Sequence, residues 1–151
     1  ITAIGLAWEQ WLERTLIAMG EQVMRPGELV SPEGIIYSPD LFVIDQKSLF
    51  RIGEIKTTCM SAKEGIEGPK CDKYHTQTKL YCYWSETPYA RIYALFLRGD
   101  YSFTKKGFKR TGHESDDGFP EFRVYDVTYG ARELQENEQM VVNFAKSRRM
   151  L

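Results

Sequence analysis

The amino-acid sequence predicts a single α/β domain. Helical periodicity occurs near both ends of the chain and once in its middle, and strand-like segments lie between these helices. That order is typical of an α/β architecture. The 151 residues suffice for one hydrophobic core and are too few to form two domains comfortably. We therefore expect one domain over residues 1–151.

The first element is an amphipathic helix over Ile4–Met19. Its apolar residues recur at steps of three and four, and Gly20 follows as a stop signal. The next segment, Glu21–Val30, contains a Pro-Gly break and predicts an irregular strand. Ser31–Gly34 has the composition of a turn.

Two strand-like segments follow and predict a β-hairpin. Ile35–Ile44 is rich in β-branched and aromatic residues, and Leu49–Lys56 alternates apolar with polar residues. Asp45–Ser48 lies between them and has the composition of a turn. We therefore expect the two segments to pair as antiparallel strands.

The second half of the chain continues the alternation of helix and strand. A loop is expected after the hairpin, because that stretch contains glycine and proline and shows no hydrophobic period. The segment RIYALFLR predicts a strand that is buried on both faces. The expected elements are a loop over Thr57–Asp72, a helix over Lys73–Ser85, a strand over Arg91–Arg98, a polar segment over Gly99–Glu121, a strand over Phe122–Val127 and a helix over Ala131–Met150.

The composition excludes some classes of protein. A formal net charge of −1 argues against a uniformly basic nucleic-acid coat, although a local basic stripe can still bind phosphate. No apolar run approaches the roughly 18 residues of a membrane span, so no membrane partner is expected. The cysteines, Cys59, Cys71 and Cys82, are too few for a four-cysteine cluster. We expect free thiols in a reducing cytoplasm.

The segment most informative about function is Pro39-Asp40, followed after thirteen residues by Glu54-Ile55-Lys56. The predicted hairpin sets position 40 roughly opposite position 53, within about one residue of register. Asp40 and Glu54 then become cross-strand neighbours, about 5–8 Å apart at Cβ. Side chains alternate along a strand, so Glu54 and Lys56 project to the same face. Two carboxylates and one ammonium group therefore converge.

This combination suits a hard divalent cation and hydrolytic chemistry. Mg²⁺ takes one or two carboxylates and leaves its other positions to waters and phosphate oxygens. The carbonyl of Ile55 is a further oxygen donor. Lys56 is suited to orient or deprotonate an attacking water, or to offset charge in the transition state.

An acidic side chain of the first helix is a further candidate. Glu9 and Glu13 are four residues apart and lie on nearly the same helical face. We expect Glu9 to contribute to the metal site and interpret Glu13 as its solvated neighbour.

These residues resemble a known set of motifs. Pro39-Asp40 with Glu54-Ile55-Lys56 resembles the signature of the PD-(D/E)xK nuclease superfamily. The segment GLAWEQWLE, from Gly5 to Glu13, is similar to the first helical motif of that superfamily. Gln77-Thr78-Lys79-Leu80-Tyr81 is similar to the Q-x-x-x-Y motif of its RecB and phage-exonuclease branch. The resemblance covers residues 5 to about 98 in the order expected of the family.

The resemblance implies a restriction-endonuclease-like core, in which a central mixed β-sheet is flanked by helices. It also implies hydrolysis of DNA phosphodiesters with Mg²⁺ or Mn²⁺ as cofactor. Asp40 and Glu54 would bind the metal, and Lys56 would be catalytic. The predicted substrate-binding residues are Gln77 and Tyr81, which would position the DNA strand, and Lys73 and Lys79, which would act by charge.

The Q-x-x-x-Y motif favours an exonuclease of the phage-replication or recombination type. Two alternatives remain open: a structure-specific endonuclease similar to a junction resolvase, and a non-catalytic DNA-binding module of the same fold. Cleavage of RNA is a less favoured third. The sequence also leaves open whether the chain forms a homo-oligomer and whether a helicase or a recombinase delivers the DNA.

Overall fold

The computed structural model describes residues 2–58, 65–66, 71–97, 101–104, 107–110 and 121–148. Three helices and nine strands lie within these residues. In chain order they are α1 (Thr2–Ala18), β1 (Gln22–Met24), β2 (Leu29–Val30), β3 (Ile36–Tyr37), β4 (Leu41–Ile44), β5 (Phe50–Thr58), α2 (Asp72–Trp84), β6 (Tyr89–Phe96), β7 (Tyr101–Thr104), β8 (Gly107–Arg110), β9 (Glu121–Thr128) and α3 (Ala131–Ser147).

A five-stranded sheet forms the centre of the fold, in the order β1-β4-β5-β6-β9. It is mixed, because β5 and β6 run parallel whereas its other neighbouring strands are antiparallel. The connection between the two parallel strands contains α2, as a parallel crossover requires. The prediction of an α/β fold with a central mixed sheet is therefore confirmed.

Helices cover both faces of this sheet. On one face, Leu12 and Leu16 of α1 pack in a buried cluster with Leu41 and Ile55. On the other face, α2 and α3 contribute buried residues to a second cluster around Ile52. Strand β5 is thus buried on both sides, and residues of opposite parity along it face different helices. This placement sets Glu54 and Lys56 on the side of α2.

The prediction of one continuous strand over Ile35–Ile44 is wrong. The structure divides it into β3, which pairs with β2 in a separate two-stranded sheet, and β4, which enters the central sheet. The division falls at Ser38–Asp40, and Pro39 within it has no N–H with which to continue a ladder. Asp40 consequently lies at a bend beside the central sheet instead of within a strand.

Other boundaries differ in smaller ways. The irregular strand predicted over Glu21–Val30 is two strands, β1 and β2, separated by residues 25–28, where Gly27 has a φ of +71°. The segment predicted to be a loop from Thr57 begins as the end of β5, and its residues 59–64 and 67–70 lie outside the described residues. The segment predicted to be polar and irregular, Gly99–Glu121, contains the β7–β8 hairpin. The sequence did not predict this hairpin.

Cys71 and Cys82 are both buried, and Cys82 is a free thiol, as expected. Cys59 lies outside the described residues. No helix in the described part of the chain is both long enough and apolar enough to cross a membrane.

We expect Gly53→Ala to destabilise the protein by about 1–3 kcal/mol, the usual cost of overpacking a well-packed core. A Cβ at this position would lie 2.9 Å from Cβ of Leu41 and 3.1 Å from Cγ2 of Val43. Both neighbours are fully buried on β4 and cannot move aside freely. Urea denaturation measures the loss.

Gly5→Ala is the matched control, because a Cβ there meets nothing within 4 Å and the residue is helical. It is expected to raise stability by up to about 1 kcal/mol. Equal denaturation midpoints for Gly53→Ala and the wild type would contradict the close packing of β4 against β5.

Candidate metal and phosphate site

The β4–β5 hairpin brings Asp40 beside Glu54. Leu41 pairs with Gly53, and one further step of the same register sets Asp40 opposite Glu54. The predicted register is therefore confirmed to within one residue. The Oδ2 atom of Asp40 accepts a hydrogen bond of 2.7 Å from the backbone N–H of Ile55, so the carboxylate is turned toward β5. Burial raises the pKa of Asp40, and this hydrogen bond opposes the shift.

Glu54 is a buried carboxylate with an unused oxygen. Only 1% of its surface is exposed. Burial raises its pKa to about 7, and the charge of Asp40 adds to that shift. Its Oε1 atom accepts a hydrogen bond from the Lys56 ammonium, whereas its Oε2 atom is buried and has no hydrogen-bond partner among the described residues. A buried oxygen left without a partner is costly, so the position suits a cation that would satisfy it.

Lys56 connects the acidic pair to α2. Its Nζ atom donates to Glu54 and, over 3.3 Å, to Oε1 of Gln77. The Nε2 atom of Gln77 in turn donates to the hydroxyl of Tyr81 over 2.7 Å. This arrangement fixes the amide orientation, because an ammonium has no lone pair and can face only the carbonyl oxygen of Gln77. The structure thus brings Glu54, Lys56, Gln77 and Tyr81 together in one hydrogen-bonded chain.

Tyr74 is a neighbour that sequence reasoning missed. The Nζ atom of Lys56 lies 5.3 Å from the centre of the Tyr74 ring, within the range of a cation–π contact. The signal that could have found it is helical spacing, because Tyr74 precedes Gln77 by three residues and so shares its face of α2.

Arg25 forms ion pairs with both Glu9 and Glu13. Arg25 donates to Oε2 of Glu13 over 2.7 Å and to Oε2 of Glu9 over 3.4 Å. Sequence reasoning missed Arg25, which follows β1 and reaches α1 only through the folded structure. Burial is the main cause of the raised pKa values of Asp40 and Glu54, and the charge of Glu9 adds to both. Glu9 therefore lies within electrostatic reach of the acidic pair.

The acidic side chains are grouped loosely. Within the part of the chain that the structure describes, no three histidine, cysteine, aspartate or glutamate residues are placed to hold an ion by themselves. Asp40 and Glu54 are a donor pair of the kind that Mg²⁺ uses when waters and phosphate complete its shell. The residues present therefore fit such an ion. Oε2 of Glu9 is the oxygen that contacts Arg25.

The two predicted substrate-binding lysines lie at different places. Lys73 is exposed on α2, and its Nζ atom is 5.3 Å from the centre of the Tyr74 ring, on the side of the site. Lys79 instead forms an ion pair of 2.7 Å with Glu133 of α3 and lies over the ring of Tyr129. Of the two, only Lys73 adjoins the residues that contact Lys56.

The chain was compared with solved structures. LHK-Exo, an exonuclease whose crystal structure contains dAMP, matches 89% of this chain with a TM-score of 0.53 and 20% sequence identity. A second structure, SSO0001, matches 91% of the chain with a TM-score of 0.46 and 14% identity. The likeness to LHK-Exo shows a shared fold.

This chain spans 60% of the length of LHK-Exo and 59% of that of SSO0001. No protein-family model and no curated protein sequence matches it.

Proposed function

We propose that this chain is a metal-dependent DNA nuclease of the PD-(D/E)xK type. The observation that carries the proposal is the buried Glu54, whose Oε2 atom has no hydrogen-bond partner among the described residues and whose other oxygen meets Lys56. Asp40 lies opposite it across the hairpin. Among the described residues, Lys56 is the ammonium group that contacts this pair. The mutual repulsion of two adjacent carboxylates costs stability, which favours a role for them in binding a cation.

Each residue of the cluster has a distinct task in this proposal. Asp40 and Glu54 hold Mg²⁺ or Mn²⁺, and the Ile55 carbonyl and Glu9 are the further oxygen donors. When bound, the ion supplies Lewis-acid polarisation of a phosphate oxygen and lowers the pKa of a water. The Lys56 ammonium offsets the negative charge that develops on the phosphate during hydrolysis. Gln77 holds that ammonium in place, and Tyr81 orients Gln77.

DNA is the proposed substrate, and exonucleolytic cleavage is the favoured mode. Two findings support this choice. The fold is shared with an exonuclease that was crystallised with a deoxynucleotide, and Gln77 of the Q-x-x-x-Y motif contacts Lys56 and is itself hydrogen-bonded to Tyr81. The predicted electrostatic contribution of Lys73 fits a strand that runs along α2 past the site.

The proposal is tested by incubating the purified protein with end-labelled linear DNA and, separately, with covalently closed circular DNA. With Mg²⁺ or Mn²⁺ we expect progressive loss of the linear DNA, intact circles, and complete inhibition by EDTA. Lys56→Met, purified in the same way, is the control for contaminating nucleases. Nicking of the circles would instead indicate an endonuclease. Intact DNA under all these conditions, from a folded protein, would favour the non-catalytic module.

Glu9→Gln is expected to weaken Mn²⁺ binding about 10–100-fold, the usual effect of removing a group that supports a metal centre. The charge of Glu9 reaches Asp40 and Glu54, so its loss removes attraction for a cation at that pair. Isothermal titration of the metal-free protein with MnCl₂ measures the change.

Glu13→Gln is the matched variant, and we expect it to weaken Mn²⁺ binding less than threefold, because the short contact of Glu13 is with Arg25. A larger loss in Glu13→Gln than in Glu9→Gln would transfer the metal-binding role to Glu13.

A further inference from the structure

An open groove lies next to the site, between residues 35–37 and one face of α2. Its volume is about 420 Å³, within the range of pockets that hold small organic ligands. The α2 residues that line it recur at helical spacing, so a single face of that helix forms one wall. The lining residues used below are Ile36, Lys73, Gln77, Leu80, Tyr81 and Trp84.

The groove is continuous with the candidate site. Gln77 and Tyr81 line the groove and also belong to the hydrogen-bonded chain that holds Lys56. On the opposite wall, the chain leaves β3 at Tyr37 and reaches Asp40 three residues later. A molecule in the groove would therefore contact two walls that both adjoin the site. One wall contains Gln77, which contacts Lys56, and the other leads directly to Asp40.

The walls of the groove have the chemistry of a base-binding surface. They are mainly apolar and include the half-buried Trp84 ring, and Ile36 presents 64% of its surface to solvent. Lys73 lies on the lining and supplies a positive charge. A flat apolar ring carrying a phosphate matches both features, because nucleobases stack on aromatic side chains and lysine neutralises phosphate.

We propose that this groove receives one unpaired nucleobase of the DNA strand, adjacent to the phosphate held at Asp40 and Glu54. The inference rests on the proposed function and deepens it, because it names the feature of the substrate that is recognised beside the reactive phosphate. The base enters between Ile36 and Leu80 and stacks toward Trp84. An unpaired base is required, since pairing would keep it inside a duplex.

The test uses fluorescein-labelled single-stranded oligonucleotides of about 12 nucleotides, a length within the site sizes of single-strand binding proteins. Each oligonucleotide carries one abasic position, and the position is moved along the strand. Binding is measured by fluorescence anisotropy with Ca²⁺ in the buffer, and gels verify that the oligonucleotides stay intact. For the wild type we expect one position at which the abasic site weakens binding about tenfold, the size of a lost stacking contact.

Two groove variants and one control decide the result. Ile36→Ser and Leu80→Ser are expected to reduce the abasic penalty to less than twofold, because the groove no longer holds the base. Tyr83→Ser should keep the full penalty, since Tyr83 is exposed on α2 outside the groove. Circular dichroism verifies folding, and Ile36→Ser alone suffices if Leu80→Ser fails to fold.

An undiminished penalty in the groove variants, or no position-dependent penalty in the wild type, would overturn the inference. If the wild type shows no position-dependent penalty but cleaves DNA normally, the base pocket is refuted and the nuclease proposal is not. A position-dependent penalty without any metal-dependent cleavage would support the pocket and refute the nuclease.

Discussion

Glu54→Gln is expected to lower the rate of DNA cleavage by about 10³-fold or more while the protein stays folded. Loss of a metal ion that stabilises transition-state charge costs several kcal/mol, and about 1.4 kcal/mol corresponds to each factor of ten. Glutamine has nearly the same shape as glutamate, so the packing of this buried side chain is preserved. It lacks the negative charge that attracts a divalent cation, and its one acceptor oxygen cannot serve Lys56 and the ion as two separate carboxylate oxygens can.

Three measurements on Glu54→Gln separate catalysis from folding. Single-turnover cleavage of end-labelled DNA gives the rate, titration with MnCl₂ gives metal affinity, and thermal unfolding by circular dichroism gives stability. We expect the cleavage rate and the affinity for Mn²⁺ to fall sharply. The melting temperature should be unchanged or higher, because a buried charge has been removed. Glu136→Gln is the control: Glu136 lies on the exposed surface of α3 and pairs only with Arg132 among the described residues. Wild-type cleavage by Glu54→Gln would refute the proposed site.

Arg91→Met is expected to destabilise the protein by about 3 kcal/mol, near the lower end of the cost of breaking a buried ion pair. Arg91 contacts Glu21 over 2.9 Å and Asp126 over 2.6 Å, and its side chain is 14% exposed. Asp45 lies 3.8 Å from the same guanidinium. Methionine has a similar reach and no charge, so it would leave the Glu21 carboxylate, whose side chain is 9% exposed, without that cation. The solvent exposure of Asp126 keeps the expected cost from being higher.

Urea denaturation of Arg91→Met gives the free energy of unfolding, and Arg132→Met is the matched control. Arg132 also pairs with a glutamate at 2.7 Å, but 90% of its side chain is exposed. Such surface pairs contribute about 0.5 kcal/mol or less. Similar losses in the two variants would show that burial does not strengthen the Arg91 network. Metal titration should be unchanged in both, since neither arginine contacts the site.

Local patterns predicted the part of the candidate site that depends on a single hairpin. The turn at Asp45–Ser48 and the two strand-like segments set the register, and the structure places Asp40 opposite Glu54 as that register requires. Alternation along β5 likewise predicts that Glu54 and Lys56 share a face. Helical spacing within α2 explains why Gln77 and Tyr81 contact each other. These relations involve residues within one element or across one turn.

Contacts between distant elements could not be predicted in the same way. The parallel pairing of β5 with β6 and the split between β3 and β4 depend on which strands meet in the finished sheet. Arg25 has no periodic signal, yet it lies between Glu9 and Glu13. Nothing in the sequence around Lys79 distinguishes it from Lys73 on the same helix. Lys79 pairs with Glu133 because α3 packs against that side of α2.

Taken alone, the order of residues determined the hairpin register, the shared face of Glu54 and Lys56, and the helical face that carries Gln77 and Tyr81. The folded chain decided that Glu54 is buried with one oxygen lacking a partner among the described residues, that Arg25 engages both α1 glutamates, and that a groove opens beside Gln77. The physical reason is the separation along the chain of the residues that interact. Backbone geometry sets side-chain direction within an element, whereas burial and charge pairing arise only where separate elements meet.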